Sequence, residues 1–175
     1  MNKTSHFVFK RDKIAISTYI ICHTIIFLCV VIFFLLLAKN TIVASASMEP
    51  TLMTGDYVMY NRIAYKLHPV ERGDIICFYS HEFELIFSKR VVGIAGDTIS
   101  FNDGFLFING QKAIEDYIPE GIETNCAKTF VVPENTVFVL GDNRENSHDS
   151  RFWVNPYIST SDIYGKYAGS LHLPW

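Results

Sequence analysis

The sequence predicts a mainly β protein, an antiparallel β fold preceded by one N-terminal transmembrane helix. Two observations carry this prediction. Residues 14–38 contain no Lys, Arg, Asp or Glu. From residue 39 onward, short β-rich runs alternate with Gly, Asp, Asn and Pro, and many short strands at close spacing favour an antiparallel sandwich or a small barrel. We therefore expect one β-domain, residues 39–175, behind an apolar anchor.

The apolar run 14–38 follows a basic tail, residues 1–13. A helix crosses the hydrocarbon core with roughly 20 residues, so the run is long enough to span it with some tilt. Basic residues before a span favour a cytoplasmic N-terminus, which predicts a cytoplasmic tail and an extracytoplasmic body. A buried core helix is one alternative. A cleavable signal peptide is another, because residues 44–46 (Ala-Ser-Ala) resemble a cleavage site, but its apolar stretch usually has only about 7–15 residues.

The body is acidic, with 11 Lys or Arg against 17 Asp or Glu from residue 39 onward. Nucleic-acid-binding domains carry a basic patch or stripe, so we expect no nucleic acid partner. The histidines are scattered and no cysteine pair has metal-ligand spacing, so we predict no metal site and no cofactor. An oxidising compartment would permit a disulfide between Cys77 and Cys126. The alternative is that Cys77 is a buried apolar residue of its run.

Seven β-rich runs follow along the body, each bounded by turn residues. Residues 102–104 (Asn-Asp-Gly) between two of them are a strong hairpin signal, and residues 109–110 (Asn-Gly) give a second turn. Residues 115–128, with Pro, Gly and Asn, are predicted to form a loop. The predicted strands are 57–60, 74–79, 85–92, 98–101, 105–108, 129–132 and 136–140.

The first candidate functional cluster is the stretch 45–52, Ser-Ala-Ser-Met-Glu-Pro-Thr-Leu. In an extended chain alternate side chains share one side, so Ser45, Ser47 and Glu49 are expected to lie together. A hydroxyl beside Ser47 can act as an oxyanion donor together with a backbone N–H. On its own, a serine in such a stretch is more often part of a solvated loop.

The second cluster contains a lysine inside a predicted strand, Lys89 within residues 85–92. Strand alternation places Phe87 and Val91 on the same face as Lys89. Burial among apolar side chains lowers a lysine pKa from about 10.4 by up to about 3–5 units. For a lysine to titrate near pH 7 to 8, its surroundings must destabilise the charged form by roughly 3–4 kcal/mol. The alternative is a lysine that protects an exposed sheet edge.

The third cluster is the polar stretch 141–151, Gly-Asp-Asn-Arg-Glu-Asn-Ser-His-Asp-Ser-Arg. Most such stretches are surface turns in which Asn or Asp side chains bond to nearby backbone. This stretch also brings two aspartates and two arginines close together, and their opposite charges can fix the shape of the loop while Ser147 hydrogen-bonds elsewhere. These residues are Asp142, Arg144, Asp149 and Arg151.

These clusters, in this order behind an apolar run, resemble the bacterial type I signal peptidase family. The resemblance spans residues 45–151 and extends to residues 162–166 as a closing strand. It implies a signal-peptidase-like β fold and a serine endopeptidase with a Ser/Lys dyad. The matching motifs are Ser-x-Ser-Met-x-Pro-Thr-Leu, Arg-Gly-Asp-Ile-Ile, Lys-Arg-Val-Val-Gly-x-x-Gly-Asp and Gly-Asp-Asn-Arg-x-Asn-Ser-x-Asp-Ser-Arg.

The resemblance also implies a role for each matching residue. Ser47 is the nucleophile, Lys89 is the general base that takes its proton as a neutral amine, and Ser45 is the side-chain oxyanion donor. Ser147 orients the lysine amine. The charged residues of the third cluster support it, Asp149 and Arg151 as an ion pair and Asp142 and Arg144 by shaping the same turn. By position, the expected substrate-binding walls are Val43, Met48, Leu52 and Phe87.

The family cleaves signal peptides after small residues at the first and third positions before the cut, and a peptide docked as an added strand explains that alternation. The expected partners are therefore secretory preproteins and the lipid bilayer, and the expected location is the bacterial plasma membrane. Glu49 puts an acid beside Ser47, and Ser88 is polar where an apolar residue is expected. The short segment 97–136 indicates a compact member of the family.

Several alternatives stay open beside a general signal peptidase. A specialised conjugal-transfer or pilin-processing peptidase fits the compact size equally well. A self-cleaving repressor-type protease shares the Ser/Lys dyad but needs a DNA-binding domain in place of the apolar run. A membrane-anchored binding module with an inactive site is disfavoured by the joint presence of the dyad and its support residues. Cleavage at residues 44–46 by another copy of the enzyme would release the body.

Overall fold

The computed structural model describes residues 18–32 and 37–172. The chain divides into two compact units, Met1–Leu37 and Ala38–Trp175. In the first unit residues 18–32 form a helix, α1, whose large apolar side chains are mostly exposed. The second unit contains the β structure and every residue predicted to belong to the functional site.

The predicted transmembrane helix 14–38 corresponds only in part to α1. Among the residues that the structure describes, no helix is long and apolar enough to cross a membrane. Residues 14–17 and 33–36 lie outside the described ranges, as does the predicted basic tail, residues 1–13. At the other end of the run, Ala38 already belongs to the first strand.

The described part of the second unit is mainly β, as predicted, and all strand pairs are antiparallel. One short helix, α2, spans Ala64–Leu67. Three 3-10 turns span Ala46–Met48, Arg144–Asn146 and Thr160–Asp162. The strands are β1 (Ala38–Ile42), β2 (Tyr57–Asn61), β3 (Ile75–Ser80), β4 (Leu85–Ile94), β5 (Thr98–Asn102), β6 (Phe105–Ile108), β7 (Gln111–Lys112), β8 (Phe130–Val131), β9 (Thr136–Leu140), β10 (Tyr157–Ser159) and β11 (Ile163–Leu171).

The strands form two sheets. The larger has the order β1-β2-β11-β3-β4-β9-β10, and the smaller has the order β7-β6-β5-β8. Each of the seven predicted runs contains a strand, and the predicted closing strand lies in β11. Strands β1, β7 and β10 were not predicted, because they are short or carry few of the β-branched and aromatic residues that mark a strand.

Both predicted turns are confirmed, and they have the backbone that their residues favour. Asp103 and Gly104 have φ of 49° and 80° between β5 and β6, and Asn109 and Gly110 have φ of 53° and 78° between β6 and β7. Two successive positive φ angles give the turn whose twist matches paired strands, and Asn, Asp and Gly adopt them most readily. Residues 115–128 form the predicted loop.

Three clusters of buried apolar side chains make up the core of this unit. The third, which includes Met48, Leu52 and Tyr60, lies under the segment that carries Ser47. Cys77 belongs to this cluster and is fully buried, and burial raises the pKa of its thiol to about 11. Cys126 packs against another cluster. Both thiols are free, so Cys77 is a buried apolar residue and not half of a disulfide.

Candidate active site

Ser47 lies in the 3-10 turn Ala46–Met48, between the β1 segment and β2. The predicted extended conformation is therefore wrong for Ala46–Met48, whereas Ser45 before them (φ −145°, ψ 156°) and Glu49 after them (φ −65°, ψ 143°) are extended. The backbone N–H of Glu49 donates to the carbonyl of Ala46 at 3.1 Å and closes the turn. Ser45 still lies beside Ser47, because its Oγ donates to Ser47 Oγ at 3.3 Å.

The residue that fixes this turn is Asn143, which sequence analysis did not single out. Its backbone N–H donates to the carbonyl of Ser47 at 3.1 Å, and its side-chain Nδ2 donates to the carbonyl of Ala46 at 3.0 Å. The carbonyls of Ala46 and Ser47 are therefore both held by one residue of the third cluster. The carbonyl of Ala46 thus accepts both the bond from Asn143 and the bond from the backbone N–H of Glu49 that closes the turn.

Gly141 packs directly against the Ser47 turn. A methyl group at this position would overlap both the Oγ of Ser147 and the carbonyl oxygen of Ser47. Both atoms therefore border the space that a side chain at Gly141 would fill, and any side chain here would push one of them away. The absence of a side chain at Gly141 allows Ser147 to lie close to the Ser47 segment.

Lys89 lies in the middle of the large sheet, opposite Ile76 of β3. Its side chain is fully buried, which excludes the alternative of an edge-protecting lysine. Phe87 and Val91, its predicted neighbours on the same face, both belong to the first apolar cluster. Its Nζ donates a hydrogen bond to Ser147 Oγ at 2.9 Å, and among the described residues it makes none to Ser47.

Burial lowers the pKa of Lys89 from its ordinary value of 10.5 to about 8. Removal of the ammonium from water is the main cause. The carboxylate of Asp149 works in the opposite direction and is the largest opposing influence, followed by that of Asp142, while the positive charge of Arg151 lowers the pKa further. A substantial fraction of Lys89 is therefore neutral near physiological pH.

Asp149 and Arg151 form a buried ion pair at 2.8 Å next to Ser147. Asp149 also accepts a hydrogen bond from the backbone N–H of Gly141 at 3.0 Å, which anchors the start of the turn to its end. The guanidinium of Arg151 donates to the carbonyl of Arg144 at 2.8 Å. These bonds close the loop into one shape with Ser147 inside it.

Asp142 and Arg144 do not pair with each other. Asn143 between them has φ −79° and ψ 78°, which turns the chain and sends the two side chains to different partners. Asp142 accepts two hydrogen bonds from Arg90 of β4, at 2.8 and 2.6 Å. Arg144 pairs with Glu115 of the long loop and donates to the carbonyl of Gly141.

A groove of about 330 Å³ runs beside Ser47, between residues 41–45 and residues 85–88. Within the described chain, β4 pairs with β9 only from Arg90 onward, so the preceding residues of β4 leave one backbone edge open along this groove. Ser45, Ser47 and Ser88 line it as well. The four predicted substrate-binding residues all line the groove: Val43, Met48, Leu52 and Phe87.

A larger cavity, of about 610 Å³, lies at the far end of β3. It contains the pair His81 and Asp162, whose nearest atoms are 3.2 Å apart, but none of the predicted site residues. Size alone therefore does not identify the site. In the described ranges no group of three or more His, Cys, Asp or Glu side chains is placed to hold a metal ion.

The chain is similar to known proteins over most of its length. The model of the family described as signal peptidase, peptidase S26, matches residues 16–171. A probable signal peptidase I-1 of Synechocystis sp. is 38% identical over 124 residues, 66% of this chain and 63% of that protein. Signal peptidase I P of Bacillus subtilis subsp. natto is 33% identical over 165 residues, 89% of each chain.

A crystal structure of a signal peptidase I from Enterococcus faecalis V583 matches with a TM-score of 0.50 and 30% identity, covering 57% of this chain and 97% of that chain. The chain spans less than two thirds of the length of two Synechocystis relatives, 63% and 56%. The family match nevertheless covers most of the chain, including both sheets and the Ser47 groove. The chain therefore belongs to the signal peptidase family, peptidase S26.

Proposed function

We propose that this protein is a serine endopeptidase that removes N-terminal signal peptides from secretory preproteins, with Ser47 as nucleophile and Lys89 as general base. The observation that carries the proposal is the state of Lys89. The amine of Lys89 is buried and its pKa is lowered to about 8. It is hydrogen-bonded to Ser147, which packs against Gly141 together with the Ser47 segment. A lysine that is partly neutral near pH 7 to 8 is suited to accept a serine proton.

The reaction then follows from these groups. Neutral Lys89 takes the proton of Ser47, whose Oγ attacks the scissile carbonyl, and the charge that develops on the carbonyl oxygen is stabilised by Ser45 Oγ and the Ser47 backbone N–H. Lys89 returns the proton to the leaving amine as the C–N bond breaks. The resulting ester on Ser47 is hydrolysed by a water that Lys89 deprotonates in the same way.

The groove suits an extended peptide whose scissile bond lies at Ser47. A substrate strand can pair with the open edge of β4, and every second side chain then enters the groove. The apolar walls and the limited volume, about 330 Å³, favour small side chains before the cut. Val43, Met48, Leu52 and Phe87 would form the walls of these subsites.

The natural setting that we propose is the bacterial plasma membrane, with the β unit on the extracytoplasmic side. The uncharged run 14–38 and the basic residues before it support an anchor with a cytoplasmic N-terminus. An anchor keeps the groove close to the lipid bilayer, where translocated preproteins emerge. Membrane fractionation and protease accessibility of the full-length chain in inverted and right-side-out vesicles test this topology.

The test of the activity uses the full-length protein in detergent with several secretory precursors and one pilin precursor. We expect new N-termini, found by sequencing, after a small residue of the secretory precursors. Ser47→Ala and Lys89→Ala should each abolish cleavage while thermal unfolding remains cooperative. Gly169→Ala, at an open site of β11, serves as a matched control. Normal cleavage by either dyad variant contradicts the assignment, and cleavage of the pilin precursor alone points to a dedicated enzyme.

A further inference from the structure

Ser88 lies in the wall of the groove, and its hydroxyl is held in place by a buried hydrogen-bond partner. It precedes Lys89 in β4, it is half-buried, and it lines the groove beside Ser47. Its Oγ lies 2.6 Å from the Oη of Tyr60, whose side chain is fully buried. Cys77 lies opposite Ser88 on β3 and is also buried, so the pair has apolar surroundings away from the groove.

The hydrogen in this bond belongs to Tyr60. In the described chain Tyr60 Oη makes its hydrogen bond to Ser88, and burial raises the pKa of Tyr60 to about 12, so the phenol remains protonated. If Ser88 were the donor, the phenol hydrogen would be a buried donor without an acceptor, which folded proteins strongly avoid. Tyr60 therefore donates, and the hydroxyl hydrogen of Ser88 is free to turn to the groove.

The other hydroxyls of the groove differ from Ser88. Ser45 and Ser47 lie next to each other and belong to the proposed chemistry. The Oγ1 of Thr41 makes a long bond of 3.5 Å to the carbonyl of Ile42 in its own strand. Only Ser88, among the groove residues that the structure describes, has its oxygen held by a fully buried donor, and this leaves its hydroxyl hydrogen available to a ligand.

We propose that Ser88 is a specificity-determining residue that donates a hydrogen bond to the side-chain oxygen of the substrate residue docked against it. A small hydroxyl side chain, serine, is then preferred over alanine at that position. The inference rests on the proposed function and names a substrate class for the same groove. Sites that hydrogen-bond a substrate hydroxyl discriminate against analogues that lack it, since the donor is otherwise left unpaired or must retain water.

The experiment measures kcat/KM of the full-length protein on preproteins that differ only by serine or alanine at each of the three positions before the cut. At one of these positions the wild-type protein should prefer serine by about 2- to 10-fold, the effect of one hydrogen bond between neutral groups. In Ser88→Ala the serine-to-alanine ratio at that position should fall to about 1.

Two further variants make the result decisive. Ser88→Ala leaves the Tyr60 hydroxyl without its acceptor, so the double variant Ser88→Ala/Tyr60→Phe, which removes both hydroxyls, carries the same expectation. Ser170→Ala removes the second tyrosine–serine hydroxyl pair, Tyr167 with Ser170 at 3.0 Å outside the groove, and should keep the wild-type ratio. If cleavage persists and the serine-to-alanine ratio of kcat/KM is the same in the wild type and the Ser88 variants, the inference is overturned. No cleavage of any precursor by the wild type overturns the proposed function, and the inference with it.

Discussion

Lys89 Nζ donates a hydrogen bond to Ser147 Oγ at 2.9 Å, although the two residues are 58 positions apart in the chain. A neutral amine that donates to Ser147 keeps its lone pair available to accept a proton. The direction of this bond therefore suits Lys89 to act as a base, with Ser147 fixing where the lone pair points.

The first prediction concerns the pH dependence of cleavage. Because the pKa of Lys89 lies at about 8, the neutral amine becomes scarcer by roughly tenfold for each pH unit below that value. We expect kcat/KM on a preprotein to rise with pH through an apparent pKa near 8 and to be roughly 100-fold lower at pH 6 than at its plateau. A profile that is flat between pH 6 and pH 9 would contradict Lys89 as the base.

The second prediction separates the function of Ser147 from its burial. Ser147→Ala removes the acceptor that orients Lys89, and a misplaced catalytic group can lower kcat by about 100-fold. Ser150, three residues on, is a matched control. It is fully buried, but its Oγ accepts from the backbone N–H of Val139 and it does not contact Lys89. We expect Ser150→Ala to lower the melting temperature and to leave kcat near wild type. Equal losses of kcat in both variants would show that Ser147 acts only through folding.

The third prediction follows from linkage between protonation and folding. Between pH 8 and 10.5 Lys89 is neutral in the folded protein and protonated in the unfolded chain, so the unfolded state binds more protons and stability rises with pH. The 2.5-unit shift corresponds to about 3 kcal/mol. Lys89→Met lacks this dependence. Its free energy of unfolding, relative to that of the wild type, should therefore decrease by about 3 kcal/mol between pH 7.5 and 10.5.

Urea unfolding of both proteins across this pH range checks the third prediction. Other titrating groups are common to wild type and Lys89→Met, so they cancel in the difference. Parallel stability curves would mean that the pKa of Lys89 in the folded protein is not lowered. The rate of the wild type should then rise through an apparent pKa near the ordinary lysine value of 10.5 and not near 8, which links this test to the first.

Local pattern was enough to predict most strands and both hairpin turns. Alternation in β4 placed Phe87 and Lys89 on one face, and residues 102–104 and 109–110 have the Asn, Asp and Gly that positive φ requires. The position of Ser45 beside Ser47 was predicted for the wrong reason, since a 3-10 turn and not an extended strand brings the hydroxyls together. A three-residue turn leaves no periodicity in the sequence.

Most contacts between distant segments could not be predicted, and the bond from Lys89 to Ser147 was expected only from the family resemblance. Asn143 holds the carbonyl of Ser47 across 96 positions, and Glu115 pairs with Arg144 from a loop whose sequence indicates only irregular structure. Arg90 pairs with Asp142, and the ring of Tyr117 lies 3.8 Å from its guanidinium. Each of these polar residues is compatible with a solvated surface when read alone, and only tertiary packing decides which are buried and with which partner.

The fourth prediction concerns the ion pair of Arg90 and Asp142. Both side chains are buried or nearly so, with exposed fractions of 11% and 0%. Asp142→Ala leaves a guanidinium without its counter-charge, and removal of one partner from a buried pair costs about 3–5 kcal/mol. Asp162→Ala breaks an exposed pair with His81 and should cost less than about 1 kcal/mol. Urea unfolding measures both, and similar small losses would mean that water reaches Arg90.

The fifth prediction concerns Gly141, where space and not backbone conformation imposes glycine. In Gly141→Ala the added methyl overlaps Ser147 Oγ and the carbonyl oxygen of Ser47, so one of the two must move. A displacement of about 1 Å in a catalytic group lowers kcat by about 100-fold. We expect at least that loss and a smaller change in KM, because the atoms nearest to the added methyl belong to Ser47 and Ser147 and not to the predicted substrate-binding residues. Gly169→Ala meets no atom within 4 Å and should behave as wild type. Wild-type kcat in Gly141→Ala would show that Ser47 and Ser147 can separate without loss of activity, and that their spacing does not control the reaction.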